Sequence, residues 1–160
     1  MPKIDIDRTP VATGSSYPEP YARLVEGRSR KRIGDAGGLA QFGVNLMTLK
    51  PGAASSQRHW HSNEDEFIYV LSGEVALVED QGECLLKAGD AAAFPAGAPN
   101  GHHLVNRSGA DALILEVGTR AADDIAEYTA PAVDLRAVKK AGAWRYLRKN
   151  GDPWARDQKE

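Results

Sequence analysis

Residues 59–73 read HWHSNEDEFIYVLSG, and this stretch decides the fold class of the chain. Residues 66–71, EFIYVL, are rich in aromatic and branched apolar side chains, which is typical of a β-strand, and a Ser-Gly turn follows them. His59 and His61 are separated by one residue. In a strand both rings would point to the same face, because strand side chains alternate between faces. The stretch therefore predicts two short strands joined by a polar turn.

Short apolar runs bounded by turn residues continue through the middle of the chain. The 16 glycines and 9 prolines fall at fairly regular intervals between these runs, as expected for many short strands rather than helices. We predict eight strands, at residues 43–49, 57–61, 66–71, 74–79, 83–87, 91–94, 101–106 and 111–117. Eight short strands with this spacing indicate an all-β antiparallel sandwich or barrel.

The two ends of the chain have a different character. Residues 1–42 contain four prolines and no sustained periodicity, and we interpret them as an extended N-terminal arm. Residues 43–118 form the predicted barrel, and residues 119–160 form a C-terminal extension packed on it. Within this extension we expect a helical turn or two at residues 134–141 and a short strand at residues 144–148.

Composition excludes several classes of protein. The 160-residue chain carries 20 Lys and Arg against 22 Asp and Glu, so a net charge of −2 does not steer it to nucleic acid or to an anionic membrane. No apolar run reaches membrane-spanning length, no secretory signal opens the chain, and Cys84 is the single cysteine, so we expect a cytoplasmic protein. The basic stretch at residues 28–32, RSRKR, is interpreted as a solvated part of the arm rather than a nucleic-acid patch.

The four histidines of the chain fall in two clusters and are the candidate metal ligands. Glu66 opens the strand that follows His61 and is close enough to join His59 and His61 across a short turn. His102 and His103 begin a later strand, and only one of these neighbours can face inward. Three imidazole nitrogens and one carboxylate oxygen suit a divalent transition metal, Fe, Mn, Ni, Co or Zn, rather than Ca²⁺ or Mg²⁺. The alternative is that these histidines are hydrogen-bonded structural residues.

Two segments resemble the two sequence motifs of the cupin superfamily. The matching residues are His59, His61, Glu66 and Gly73 in the first segment, and Gly89, Pro95, Gly97, His102 and Asn106 in the second. The amino-acid sequences of both segments are similar to those of small bacterial single-domain cupins. The resemblance implies a double-stranded β-helix, or jelly-roll, barrel. It also implies a metal bound by His59, His61, Glu66 and His102, and so selects His102 over His103.

Strand parity predicts the lining of a small-molecule pocket beside the metal. Residues that share the parity of the candidate ligands should face inward with them. These predicted pocket residues are Gln57, Ile68, Val70, Leu104 and Asn106. For Ile68, Val70 and Leu104, ordinary core packing is an equally good interpretation.

Three kinds of function are compatible with these features. The first is a metal-dependent enzyme of oxygenase, isomerase or lyase type that acts on a small molecule inside the barrel, although the sequence identifies no general acid or base. The second is a non-catalytic module that binds or senses a small molecule. The third is a structural protein with a vestigial site.

We also expect a homodimer that forms through the sheet edges and the N-terminal arm. Exposed strand edges are usually covered in natural proteins, and outward-facing Phe67, Tyr69 and Leu71 would form an apolar stripe that needs covering. In the alternative, residues 120–160 fold over the same stripe and the protein is a monomer.

Overall fold

β-Strands account for most of the secondary structure in the computed structural model, which describes residues 3–154. Helical structure in this range is limited to a short 3₁₀ helix, Tyr21–Val25, and one helical turn, α1 (Ile33–Ala36). None of the helices formed by residues 3–154 is long and apolar enough to cross a membrane. Residues 1–2 of the predicted arm and residues 155–160 of the predicted extension lie outside the described residues. The strands are β1 (Val11–Thr13), β2 (Arg28–Lys31), β3 (Phe42–Leu49), β4 (His59–His61), β5 (Glu66–Ser72), β6 (Glu74–Glu79), β7 (Gly82–Lys87), β8 (Ala91–Phe94), β9 (His102–Val105), β10 (Ala112–Thr119), β11 (Asp124–Tyr128), β12 (Arg136–Lys140) and β13 (Ala143–Leu147).

The strands form two antiparallel sheets. Sheet A has the order β1-β2-β3-β10-β5-β8, and sheet B has the order β13-β12-β11-β4-β9-β6-β7. From β3 to β10 the chain crosses repeatedly between the two sheets, which is the connectivity of a double-stranded β-helix. These eight strands correspond to the eight predicted in residues 43–117, so the predicted all-β jelly-roll fold is confirmed.

Both flanking segments add strands to these sheets. β1 and β2 extend sheet A beyond β3, and β11 to β13 extend sheet B beyond β4. The predicted strand at residues 144–148 is confirmed as β13. The helical turns predicted at residues 134–141 are wrong, because β12 pairs there with β11 on one side and β13 on the other. A two-residue turn, Ala141-Gly142, joins β12 to β13, and its φ angles of 47° and 80° match the twist of a tight hairpin.

Side chains that point between the sheets are apolar at one end of the strands and polar at the other. In sheet A, β10 pairs with both β3 and β5, so side chains from the three strands form rows on the inner face. Leu49, Val70 and Ile114 form one end of these rows and are fully buried in the core. Asn45 and Glu116 lie further along the same faces and line a cavity. The apolar core thus closes one end of the barrel, and the other end is hollow and polar.

A second, smaller core joins the two flanking segments to each other beside the cavity. Leu135 and Tyr128 are buried in it, and the arm contributes Tyr17. The ring centroid of Tyr17 lies 5.8 Å from that of Tyr128 and 5.7 Å from that of Tyr146. The Ser16 and Tyr146 hydroxyls are hydrogen-bonded at 2.9 Å. Through these contacts the arm and the C-terminal strands form one wall of the cavity.

Candidate functional site

The four candidate ligands meet between the sheets at the hollow end of the barrel. His59 and His61 lie on β4, His102 lies on the adjacent strand β9 directly opposite His59, and Glu66 opens β5 in the other sheet. The Nε2 atoms of His59 and His61 are 3.0 Å apart, and Oε2 of Glu66 lies 3.1 Å from Nε2 of His102 and 3.9 Å from Nε2 of His61. Alternation along β4 and the approach of β5 from the other sheet therefore bring His59, His61 and Glu66 together, and pairing of β4 with β9 places His102 beside them in contact with Glu66.

The other ring nitrogen of each of the three histidines faces a hydrogen-bond acceptor. Nδ1 of His59 is 2.8 Å from the Gln57 carbonyl oxygen, and Nδ1 of His102 is 3.2 Å from the Asn100 carbonyl oxygen. Nδ1 of His61 is 2.5 Å from Oδ2 of Asp124. Each Nδ1 is therefore placed to donate a hydrogen bond, and in the neutral ring this directs the lone pair of Nε2 to the centre.

This arrangement fits a metal ion. Two nitrogen lone pairs that face each other at 3.0 Å, as those of His59 and His61 do, repel each other unless a proton or a metal ion lies between them. His59, His61 and Glu66 offer ligand atoms that all lie within 4.8 Å of one another. Nitrogen and carboxylate donors in this ratio are typical of sites for divalent transition metals.

Electrostatics set the protonation states of His59 and Glu66 as a metal requires. Burial lowers the pKa of His59 to about 4, so this imidazole is neutral at pH 7. Burial raises the pKa of Glu66, but His102, whose Nε2 lies 3.1 Å from Oε2, and the positive charge of nearby imidazoles when they are protonated outweigh it and lower that pKa to about 2. Glu66 is therefore a carboxylate at pH 7 and can act as a metal ligand. Burial lowers the pKa of His61, but the hydrogen bond to Asp124 and the nearby carboxylates outweigh it and raise that pKa, so a metal ion bound here would take the place of a proton.

His103 does not join the three other histidines at this point. Its Nδ1 atom lies 2.9 Å from the carbonyl oxygen of Ser56. Because it follows His102 directly on β9, its side chain leaves the strand on the opposite face.

A cavity of about 480 Å³ adjoins the candidate ligands. Ile68 and Leu104, two of the predicted pocket residues, line it. The structure places the three others elsewhere. Val70 is fully buried in the core, and Gln57 donates from Nε2 to the Tyr21 carbonyl oxygen at 2.8 Å. Asn106 is also fully buried and binds backbone groups, so these three side chains lie outside the cavity lining.

The cavity also contains a row of arginines that the sequence interpretation missed. Arg28, Arg30 and Arg32 line one wall, and Arg28 and Arg30 are partly buried on β2, so the interpretation of residues 28–32 as a solvated part of the arm is wrong for these two, while Arg32 is exposed. Strand alternation turns Arg28 and Arg30 into the cavity, while Lys31 points away and donates to the Ile6 carbonyl oxygen at 2.8 Å. Arg32 follows the end of β2 and lines the cavity as an exposed residue. The signal for this row was present in the spacing, since the arginines recur at every second residue.

The C-terminal strands supply further lining residues that sequence reasoning missed. Lys139, Trp144 and Tyr146 reach the cavity from β12 and β13. Nζ of Lys139 lies 2.9 Å from Oε1 of Glu64, and both side chains are nearly buried. The alternation of polar and apolar side chains within residues 136–147 is a signal for this hairpin. The prediction of helical turns at residues 134–141 overlooked that signal.

Comparisons with known proteins agree with this geometry. Residues 45–118 match the family model described as the cupin domain. The fold superposes with a TM-score of 0.91 on a sugar phosphate isomerase of the cupin superfamily from Silicibacter pomeroyi; the two chains are 48% identical over 98% of this chain and 99% of the other. A candidate sugar phosphate isomerase from Acidithiobacillus ferrooxidans is 30% identical over 81% of each chain, with a TM-score of 0.71.

A more distant structure shows the same fold alone. A polyketide cyclase from Streptomyces resistomycificus is 22% identical over 74% of this chain and 79% of the other, with a TM-score of 0.59. No curated protein matches the chain significantly. The domain match over residues 45–118, together with 48% identity to a cupin along almost the whole chain, establishes that this protein belongs to the cupin superfamily.

Proposed function

We propose that this cupin binds one divalent transition metal and catalyses the isomerisation of a small sugar phosphate. The proposed ligands are His59, His61, Glu66 and His102. One observation carries the proposal: three of these ligands, His59, Glu66 and His102, line a single cavity of about 480 Å³ together with a row of arginines. The 48% identity to a sugar phosphate isomerase supports the same reaction class.

The chemistry of an aldose–ketose isomerisation matches what the cavity contains. The reaction transfers hydrogen between neighbouring carbon atoms of one molecule, so it requires neither a second substrate nor an oxidant. A divalent metal in this position would supply a Lewis acid that polarises the oxygens of the reacting carbons. The donor set is compatible with Fe, Mn, Ni, Co or Zn.

The residues of the chain perform the remaining tasks of binding and orientation. Ile68, Phe94 and Leu104 provide an apolar wall that excludes water from the reacting part of the substrate. The ring of Phe94 stacks on that of His102 at a centroid distance of 3.6 Å and limits the movement of this ligand. Polar side chains on the opposite wall provide hydrogen bonds for sugar hydroxyls and for an anionic group.

The decisive experiment measures metal content and then reaction. Protein purified without chelator is analysed by inductively coupled plasma mass spectrometry, and about one transition metal per chain is expected. The metal-loaded protein is then mixed with aldose phosphates in D₂O and followed by proton NMR. We expect conversion to the corresponding ketose phosphates, and His61→Ala should abolish it.

Other outcomes of the same experiment identify the alternatives. Tight binding of a sugar phosphate that is recovered unchanged would indicate a non-catalytic binding or sensing module. Oxygen consumption would indicate an oxygenase, and a cleaved product would indicate a lyase. Any of these results would contradict the proposed isomerisation.

A further inference from the structure

Two members of the arginine row, Arg28 and Arg30, lie on β2 and on the inner face of sheet A. Arg28 pairs with Leu49 on the neighbouring strand β3, and Arg30 pairs with Met47 on the same strand. Both of these partners are fully buried in the core. Side chains directly opposite each other in a sheet lie on the same face, so both guanidinium groups point into the barrel rather than to the surface.

Arg30 is already neutralised by a carboxylate. Its Nε and Nη2 atoms donate to the two oxygens of Glu116 at 2.6 and 2.7 Å, which is a bidentate ion pair. The two side chains are 25% and 18% exposed. This pair is therefore a fixed part of the wall, and its charges cancel.

Arg28 is held in a different way. Its Nη1 donates to the carbonyl oxygen of Ser55, and its Nη2 donates to the carbonyl oxygen of Gly14 at 3.1 Å. These two bonds orient the guanidinium but leave its charge without an anionic partner among residues 3–154. A guanidinium carries five N–H donors, so several remain for a ligand. Burial and the neighbouring Arg30 lower the pKa of Arg28 to about 10, as expected for a cation that lacks a counter-ion.

A balance of the charged groups leaves two positive charges on this wall. Apart from the candidate metal ligands, most charged side chains that line the cavity form ion pairs with each other. These pairs are Arg30 with Glu116, Arg120 with Asp35, and Lys139 with Glu64. Within the described part of the chain, Arg28 and Arg32 remain. Two unpaired cations match the charge of a phosphate monoester, which is close to −2 at pH 7.

We infer that Arg28, together with Arg32, binds the phosphate group of the sugar phosphate. Arg30 and Glu116 form a pair that orients this wall and does not contact the phosphate. The inference rests on the proposed function and adds to it the residues that recognise the anionic part of the substrate. Ser16 and Tyr146 line the same cavity, and their hydroxyls can complete the hydrogen bonding of the phosphate oxygens.

Calorimetric titration of the metal-loaded protein with inorganic phosphate tests this inference. The Arg28→Met variant should bind phosphate about tenfold more weakly than the wild type or worse, and Arg32→Met should also bind it more weakly. Arg107→Met is the matched control, because it removes the same charge from an exposed ion pair with Glu83 outside the cavity. It should leave phosphate affinity within about twofold of the wild type.

A second variant separates loss of binding from loss of folding. Arg28→Lys retains the charge at this position and should restore part of the phosphate affinity that Arg28→Met loses. Metal content and melting temperature are measured for each variant. No phosphate binding by the wild type would overturn the inference, and so would equal affinity in the wild type and a folded Arg28→Met variant.

The activity assay distinguishes failure of this inference from failure of the proposed function. Phosphate binding that depends on Arg28, without any isomerisation, would retain the phosphate subsite and refute the isomerase. Isomerisation with equal kcat/KM for phosphorylated and unphosphorylated sugars would retain the isomerase and refute the subsite. We expect a kcat/KM preference for the phosphorylated sugar that Arg28→Met removes mainly through an increase in KM.

Discussion

Nδ1 of His61 lies 2.5 Å from Oδ2 of Asp124, a carboxylate that is only 1% exposed. The other oxygen of Asp124 accepts hydrogen bonds from the backbone N–H of Asn63 at 2.8 Å and from the hydroxyl of Ser62 at 3.1 Å. Asp124 is thus fixed from both sides, and it fixes the ring of His61 in turn. This carboxylate–imidazole pair orients Nε2 and increases its strength as a metal ligand.

Replacement of Asp124 should therefore weaken metal binding without removing a ligand. Asp124→Asn should lower metal affinity by about 10–100-fold, because the amide cannot supply the negative charge that supports His61. Competition with a chromophoric chelator measures the change. Asp123→Asn is the control, since this neighbouring carboxylate is exposed and binds Lys140 instead. Equal metal affinity in both variants would contradict the role of Asp124.

His103 should respond to alanine substitution differently from the candidate ligands. His59→Ala removes an Nε2 atom from the centre of the site and should lower metal content strongly. His103→Ala removes a ring that contacts the Ser56 carbonyl oxygen instead, so metal content should change much less. Elemental analysis of both purified variants tests this difference, and an equal loss in both would refute the choice of His102 over His103.

Asn106 should prove important for stability rather than for ligand binding. Its Nδ2 atom donates to the carbonyl oxygens of Leu49 and Ala110, both at 2.8 Å, and its Oδ1 accepts from Ser108. Asn106→Ala leaves these buried groups without partners and should lower the free energy of unfolding by about 2–3 kcal/mol. Urea denaturation measures this loss. Unchanged stability with weaker ligand binding would instead support the predicted place of Asn106 in the pocket.

Local spacing explains why the barrel and the candidate ligands could be predicted from the sequence. His59 and His61 are two residues apart, so strand alternation indicates that their rings share a face, and Glu66 follows after one short turn that brings it close to them. The eight strands of residues 43–117 are likewise bounded by glycines and prolines that mark turns. Features that depend on neighbours in sequence are readable because the β-strand period is two residues.

Contacts between distant segments explain what the sequence did not reveal. Asp124 lies 63 residues beyond His61, and their contact depends on the pairing of β11 with β4. The inward direction of Arg28 depends on the pairing of β2 with β3, which converts an apparently solvated basic stretch into a cavity wall. Alternation shows which residues share a face, but only strand pairing determines what that face meets.

The outer face of sheet A carries the apolar surface that we expect a second copy of the chain to cover. Phe67, Tyr69 and Leu71 on β5 are each about 40% exposed. Their cross-strand neighbours are apolar too, since Tyr69 pairs with Leu115 and Phe67 pairs with Val117 on β10. Within residues 3–154, β11 to β13 extend sheet B and leave these side chains exposed. This observation supports the predicted dimer over the alternative in which residues 120–160 cover the stripe.

Light scattering at micromolar concentration tests the dimer. We expect a mass near twice the chain mass of 17.2 kDa for the wild type. Tyr69→Lys should shift the mass towards that of one chain, because it places a charge in the centre of the buried apolar surface. Leu85→Lys is the control, since Leu85 is also exposed, at 54%, but lies on β7 in the other sheet. A wild-type mass of one chain would refute the dimer, and equal dissociation in both variants would show that the outer face of sheet A is not its interface.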